Sequence, residues 1–168
     1  MIRILSRLAI VAMLAGATAA CMPSGAVEQQ LAGSPASAPV AVSPAAAAAA
    51  ISAYRAEHGL PPVTVSARLV EAARDQADAM ARADRLSHSV SGDLTRRMGR
   101  AGYEWMAVAE NIAAGQRNLQ EAMDGWIMSP AHRANLLNEH VTEIGIATAF
   151  NASSQYRVYW ALILAAPR

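Results

Sequence analysis

The sequence predicts an α+β domain in which helices pack on an antiparallel sheet. Three observations predict it. Helical signals follow one another from Ser43 to Leu137. Two runs of alternating apolar residues, Ile144 to Phe150 and Tyr156 to Leu164, lie near the end of the chain. No strand–helix–strand rhythm connects the two parts, which argues against a parallel, doubly wound sheet.

Each element has its own signal. Ser43-Pro44 places a capping hydroxyl before a proline at the first helical position. That helix runs through Ile51, Tyr54 and Arg55 and stops at Gly59 and Pro61-Pro62. A second helix starts near Ser66, with Val65 and Val70 placed for a hydrophobic staple. Leu69, Ala73, Ala77 and Met80 recur at helical spacing and form its buried stripe, which ends near Asp84 to Leu86. A third, short helix covers about Asp93 to Gly99, capped by Asp93. Ala107 to Ala114 is apolar apart from Glu110 and Asn111 and is too short to assign by period. A fourth helix covers Leu119 to Met128, with Trp126 on its core side. Ser129-Pro130 repeats the cap-and-proline signal and starts a further turn or two through Leu137. The two alternating runs then form a β-hairpin around the polar loop Asn151 to Gln155. About 125 folded residues are enough to bury a core.

The first 43 residues read differently. Arg3 and Arg7 precede an uncharged run, Leu8 to Ala20, that is shorter than the ~20 residues needed to span a bilayer. This is the pattern of a secretory signal over residues 1–20. Leu14 to Cys21 resembles a lipoprotein cleavage box, with Thr18 where Leu is usual, and that resemblance makes Cys21 the site of lipidation. Met22 rather than Asp follows the cysteine, which favours the outer membrane, facing the periplasm. A soluble periplasmic or secreted form is the alternative. Residues 21–43, rich in Ala, Ser, Pro and Gly, read as a flexible tether whose removal costs the domain nothing. The folded domain is expected over residues 44–168.

Composition excludes several chemistries. Cys21 is the one cysteine of the 168 residues, so the domain holds no intramolecular disulfide, thiol nucleophile or Cys-rich zinc site. All 14 basic residues are Arg, which excludes a lysine Schiff base, a Ser-Lys dyad and a P-loop lysine. The near balance of 14 basic and 13 acidic residues gives no case for nucleic-acid binding.

Four residues stand out for chemistry: His88, Glu110, His132 and Glu143. A carboxylate inside an apolar run, as at Glu110, costs several kcal/mol to bury unless it is paired. His132 is the third residue of the helix capped by Ser129, where the positive helix end favours a neutral imidazole.

Five segments, in order, carry a family resemblance. They are Tyr54-Arg55-Ala56-Glu57-His58-Gly59-Leu60, Leu86-Ser87-His88-Ser89, Glu110-Asn111-Ile112, Trp126 through Ser129-Pro130-Ala131-His132-Arg133-Ala134-Asn135-Leu136-Leu137, and Thr142-Glu143-Ile144-Gly145. Together they resemble the bacterial branch of the CAP superfamily of cysteine-rich secretory, antigen 5 and pathogenesis-related proteins, also called SCP-like. The resemblance implies an α-β-α sandwich with a central antiparallel sheet flanked by helices. It also implies a cleft lined by His88, Glu110, His132 and Glu143.

Two function classes follow. One is an exported, lipid-anchored binding module whose His/Glu cleft takes a peptide, glycan or lipid at the cell envelope. It requires no cofactor but is compatible with a weakly held divalent metal such as zinc on His88 and His132. The other is a metal-dependent hydrolase with Glu110 or Glu143 as general base. A serine hydrolase is set aside, because there is no Gly-x-Ser-x-Gly elbow and Ser129 is spent on a helix cap.

Overall fold

The computed structural model describes residues 38–168. The signal segment, Cys21 and most of the tether lie outside the described residues.

The elements run α1 (Pro44–Glu57), β1 (Thr64–Val65), α2 (Ala67–Ala83), α3 (Leu94–Arg100), β2 (Trp105–Ala114), α4 (Leu119–Met128), α5 (Pro130–Leu136), β3 (Glu143–Phe150) and β4 (Val158–Pro167). The helices fall close to where their caps predict. The Ser43 hydroxyl accepts from the Ala46 N–H at 3.3 Å, and the Asp93 carboxylate accepts from the Arg96 N–H at 2.8 Å. That bond, with a second from the Thr95 hydroxyl, holds the Asp93 carboxyl below its ordinary pKa.

Two expectations about serine caps need correction. Ser66 and Ser129 occupy the cap positions of α2 and α5, but neither side chain bonds a helix N–H. The Ser129 hydroxyl is therefore not committed to a cap; the missing nucleophile elbow remains the argument against a serine hydrolase.

The sheet has the order β1-β3-β4-β2. β3 and β4 form the predicted hairpin, and β2 pairs antiparallel with β4. β1 departs from the antiparallel expectation. Its two residues lie parallel to β3, pairing Thr64 with Glu143 and Val65 with Ile144. Two residues are too few to show an alternation in sequence. The run around Glu110 is the edge strand β2, and a register shift between Trp105 and Ala107 leaves Met106 69% exposed.

β4 is buried on both sides along nearly its whole length, as the middle layer of a sandwich must be. Its even positions, Val158, Trp160, Leu162 and Leu164, pack with α1, α4 and Leu136 of α5. Its odd positions, Tyr159, Ala161, Ile163 and Ala165, pack with α2 and Met98 of α3. Trp126 belongs to the first cluster at 1% exposure, with its indole N–H donating to the Ile112 carbonyl at 3.2 Å.

The second interface is unusually close. A Cβ added to Gly145 would lie 2.0 Å from the Leu69 carbonyl carbon and 2.2 Å from the Val70 nitrogen. The glycine of Thr142-Glu143-Ile144-Gly145 is thus the point where β3 and α2 meet backbone to backbone.

The domain also begins earlier than residue 44. Val40 and Val42 pack against the first core cluster, and the Val40 carbonyl accepts from the Thr148 hydroxyl. A composition of Ala, Ser, Pro and Val hid two apolar anchors, so the end of the tether is part of the fold.

Candidate functional site

Glu110 and Asn111 are neighbours on β2, and a strand sends successive side chains to opposite faces. This explains why both matter. The Glu110 side chain turns to the α2/α3 face, as does its register partner Ile163. Asn111 turns to the other face, donates to the His132 carbonyl at 3.0 Å and accepts from Asn135 at 2.8 Å. Asn135 also donates to the Glu110 carbonyl at 3.2 Å, so α5 is sewn to the sheet edge by two amide side chains.

Glu110 is buried and doubly paired. Arg97 Nη1 donates to one carboxylate oxygen at 2.6 Å, with side-chain exposures of 1% and 3%. His88 Nδ1 lies 2.7 Å from the other oxygen. The pairing that a buried carboxylate requires is therefore present, as charge-assisted bonds. An ionised carboxylate can only accept, so in this bond Nδ1 is the donor and Nε2 is the ring's other nitrogen. The His88 side chain is 57% exposed.

The loop that carries His88 is pinned from two helices. Gln76 of α2, fully buried, donates to the Ser87 carbonyl at 2.8 Å and accepts from the Ser91 hydroxyl at 2.6 Å. Arg97 of α3 donates to the His88 carbonyl at 3.1 Å and the Gly92 carbonyl at 3.3 Å. Gly92 has φ +95, the left-handed region that favours glycine, and turns the chain into α3.

Sequence reasoning missed Gln76 and Arg97. The signal was present: Gln76 stands three after Ala73 on the buried stripe of α2, and Arg97 adjoins the inward Met98. A polar residue on an apolar stripe announces a buried partner.

Of the four residues expected in one cleft, His88 and Glu110 are in direct contact. Glu143 lies across β4 from Glu110, at the register of Ala165 rather than Ile163, with buried residues between. It accepts from the Tyr103 hydroxyl at 2.7 Å and lines an open groove of about 530 Å³ with Ser66, Arg68 and Glu104. Burial first, then Glu143, push the Tyr103 phenol well above its ordinary pKa. His132 is half-buried in the first turn of α5, where its carbonyl serves Asn111. Glu110 and Glu143 share the α2 face of the sheet, with β4 between their strands.

Among the described residues no three His, Cys, Asp or Glu side chains form a group that could hold a metal ion. The donor set around Glu110 does not fit a divalent ion either. One carboxylate oxygen carries a guanidinium and the other an imidazole N–H, leaving Nε2 as the remaining ligand atom of His88. For the same reason Glu110 is not a general base that a substrate can reach. Of His88, Glu110 and Arg97, the group that reaches the surface is His88.

Comparison with known proteins agrees with the architecture. Residues 48–164 match the model of the CAP, cysteine-rich secretory protein family. The uncharacterized protein YkwD of Bacillus subtilis is 31% identical over 97 residues, which cover 56% of this chain and 38% of that protein. An extracellular protein containing an SCP domain from Bacillus anthracis is 25% identical with a TM-score of 0.64, over 72% of this chain and 39% of that one. An outer surface protein of Borrelia burgdorferi, 15% identical, shares the fold with a TM-score of 0.67 over 78% of this chain and 100% of its own. The match thus spans about two fifths of the length of each of the two Bacillus proteins. With the family model matched over most of the chain, and the helix–sheet–helix layers in place, this chain belongs to the CAP, or cysteine-rich secretory protein, family.

Proposed function

We propose that this is an exported CAP-domain protein, anchored in the cell envelope through lipid on Cys21, whose domain is a ligand-binding module with His88 as the contact group. The observation that carries the reading is the His88–Glu110–Arg97 chain. It is 57% exposed at the imidazole and 1% exposed at the guanidinium. A surface histidine without a task has no need of two buried charged residues behind it, since burying them is costly. Held this way, the ring offers Nε2 to a hydroxyl, amide or ammonium donor on a peptide, glycan or lipid headgroup.

Export is supported by the signal pattern of residues 1–20 and by relatives described as extracellular or outer-surface proteins. The lipid-anchor reading places the domain at the outer membrane, facing the periplasm.

Two measurements test the proposal. Cys21→Ser is expected to move the protein from the membrane to the soluble fraction with the domain still folded; a wild type that is already fully soluble contradicts the anchor. Binding of muropeptides, oligosaccharides and phospholipid vesicles is then compared for wild type and His88→Ala. One class is expected to bind wild type and to lose that binding in the variant. Equal binding by both proteins to every class contradicts the role of His88. Turnover of the bound probe, lost in His88→Ala, would make the site catalytic with His88 as base.

A further inference from the structure

A fold that brings a histidine and a glutamate together invites a metal ion, and this one contains a group already doing an ion's work. Arg97 reaches three points at once. It bonds the Glu110 carboxylate on β2, the His88 carbonyl on the loop after α2, and the Gly92 carbonyl at the entry to α3. The loop holding His88 and Gly92 and the strand holding Glu110 are separate in the chain and meet at this side chain.

We propose that the Arg97 guanidinium is the permanent cation of the site, holding Glu110 and the His88 loop in the arrangement that a divalent ion would otherwise impose, so that the site works without metal. Three features support it. The charge is balanced, one buried carboxylate against one buried guanidinium, at 2.6 Å. A divalent ion on the same carboxylate would stand beside that guanidinium, with no second carboxylate among the described residues to offset it. Finally, His88 presents Nδ1 to Glu110, the bond by which a carboxylate usually orients a metal-bound histidine from behind, while Arg97 supplies the neutralising charge from within the fold. Arg97 is in these terms a positioning residue: it acts on a ligand through Glu110 and His88.

The test is a zinc titration of the purified full chain by calorimetry, with thermal melts in zinc and in EDTA alongside. It involves no organic ligand, so its failure is separate from failure of the ligand-binding reading. Wild type is expected to show no zinc binding that His88→Ala weakens, and no change in Tm with EDTA. Arg97→Met removes the cation and keeps much of the bulk. Zinc is expected to raise the Tm of that variant, and His88→Ala in the same background to cancel the rise. Arg97→Lys keeps a charge and is expected to fold and remain indifferent to zinc, with faster amide exchange over residues 88–92 because its single nitrogen cannot hold three acceptors. Wild-type zinc binding that weakens about tenfold or more in His88→Ala overturns the proposal. So does a folded Arg97→Met that ignores zinc. If Arg97→Met fails to fold in either condition, the wild-type and Arg97→Lys arms still decide between the two outcomes.

Discussion

Two arginines are fully or almost fully buried in this domain, one on each side of the sheet, and they are used differently. Arg55, at the end of α1, has no acidic partner among the described residues. Its guanidinium donates to the carbonyls of Pro61, Leu136, Asn138 and Val141 at 2.8–3.2 Å. One of these, Leu136, is the last residue of α5, where a cation suits the helix dipole. Burial pushes its pKa below the ordinary value. Arg97, on the other side, spends its strongest bond on a carboxylate that in turn holds an exposed histidine. The first arginine staples loops together; the second extends a charge network outward to the surface. A buried arginine is therefore informative about function mainly through what its partner touches next.

The surroundings differ in the same way. The Arg55 side is filled by large residues, including Trp126, Trp160, Leu136 and Leu162. On the Arg97 side half of the buried cluster is alanine, and Ala72, Ala73 and Ala77 of α2 with Ala161 and Ala165 of β4 let α2 close onto the sheet at Gly145. Large side chains can shift rotamer to absorb a change, whereas touching backbones cannot.

The largest effect is therefore expected on the small-residue side. Gly145→Val puts atoms about 2 Å from the α2 backbone and is expected to abolish folding, read as loss of the cooperative melt. A variant that melts near wild type would show that α2 can move off β3 and would dissolve the contrast between the two faces.

Next comes Trp126→Ala on the large-residue side. It removes a fully packed ring and an indole bond and is expected to cost ~3–5 kcal/mol in chemical denaturation. A folded remnant is expected here, because the cavity can partly collapse. Wild-type stability would move Trp126 out of the core.

Removing residues 22–42 is expected to cost about 1–2 kcal/mol, through partly buried Val40 and Val42, and to lower Tm by several degrees. An unchanged melt would return the domain boundary to Pro44.

The smallest effect sharpens the comparison by pH. Tyr159 lies on the α2 side and donates to Asp84, with Ser154 alongside. Burial first, then Asp84, push its phenol up to about 12, while bonds from Ser154 and Tyr159 lower the Asp84 carboxyl. The folded state keeps the phenol proton longer than the unfolded chain, whose tyrosines titrate near ~10. The stabilisation is present below about pH 10 and is lost as pH rises through about 12. Tyr159→Phe is expected to show a smaller fall in Tm between about pH 9 and 11 than wild type. Equal falls would remove Tyr159 from the alkaline transition.

Much of the fold was legible because helix caps and strand alternation are local signals. Ser43-Pro44, Asp93 and the Ile144 to Phe150 run each fixed an element from its own residues. β1 was not legible, since two residues become a strand only by pairing with β3. β2 was obscured because it is an edge strand whose polar pair Glu110-Asn111 breaks the apolar run. At the site, His88 and Glu110 were legible as a pair of chemically suited residues in matching motifs. Arg97 and Gln76 were overlooked because each is ordinary in its helix and acquires meaning only when a loop folds over it. The spacing of Glu110 and Glu143 was not legible, because motif order says nothing about which strand stands between two carboxylates.

The His88 ring is held by Glu110, with Arg97 behind the carboxylate. The most direct measurement is nitrogen-detected NMR of the His88 ring at neutral pH, before and after chelator treatment. A protonated Nδ1 with a slowly exchanging proton and an unprotonated Nε2 are expected, unchanged by EDTA, with the slow proton lost in Glu110→Gln. A ring whose nitrogen shifts change on chelation, or whose Nδ1 proton is indifferent to Glu110→Gln, would contradict it.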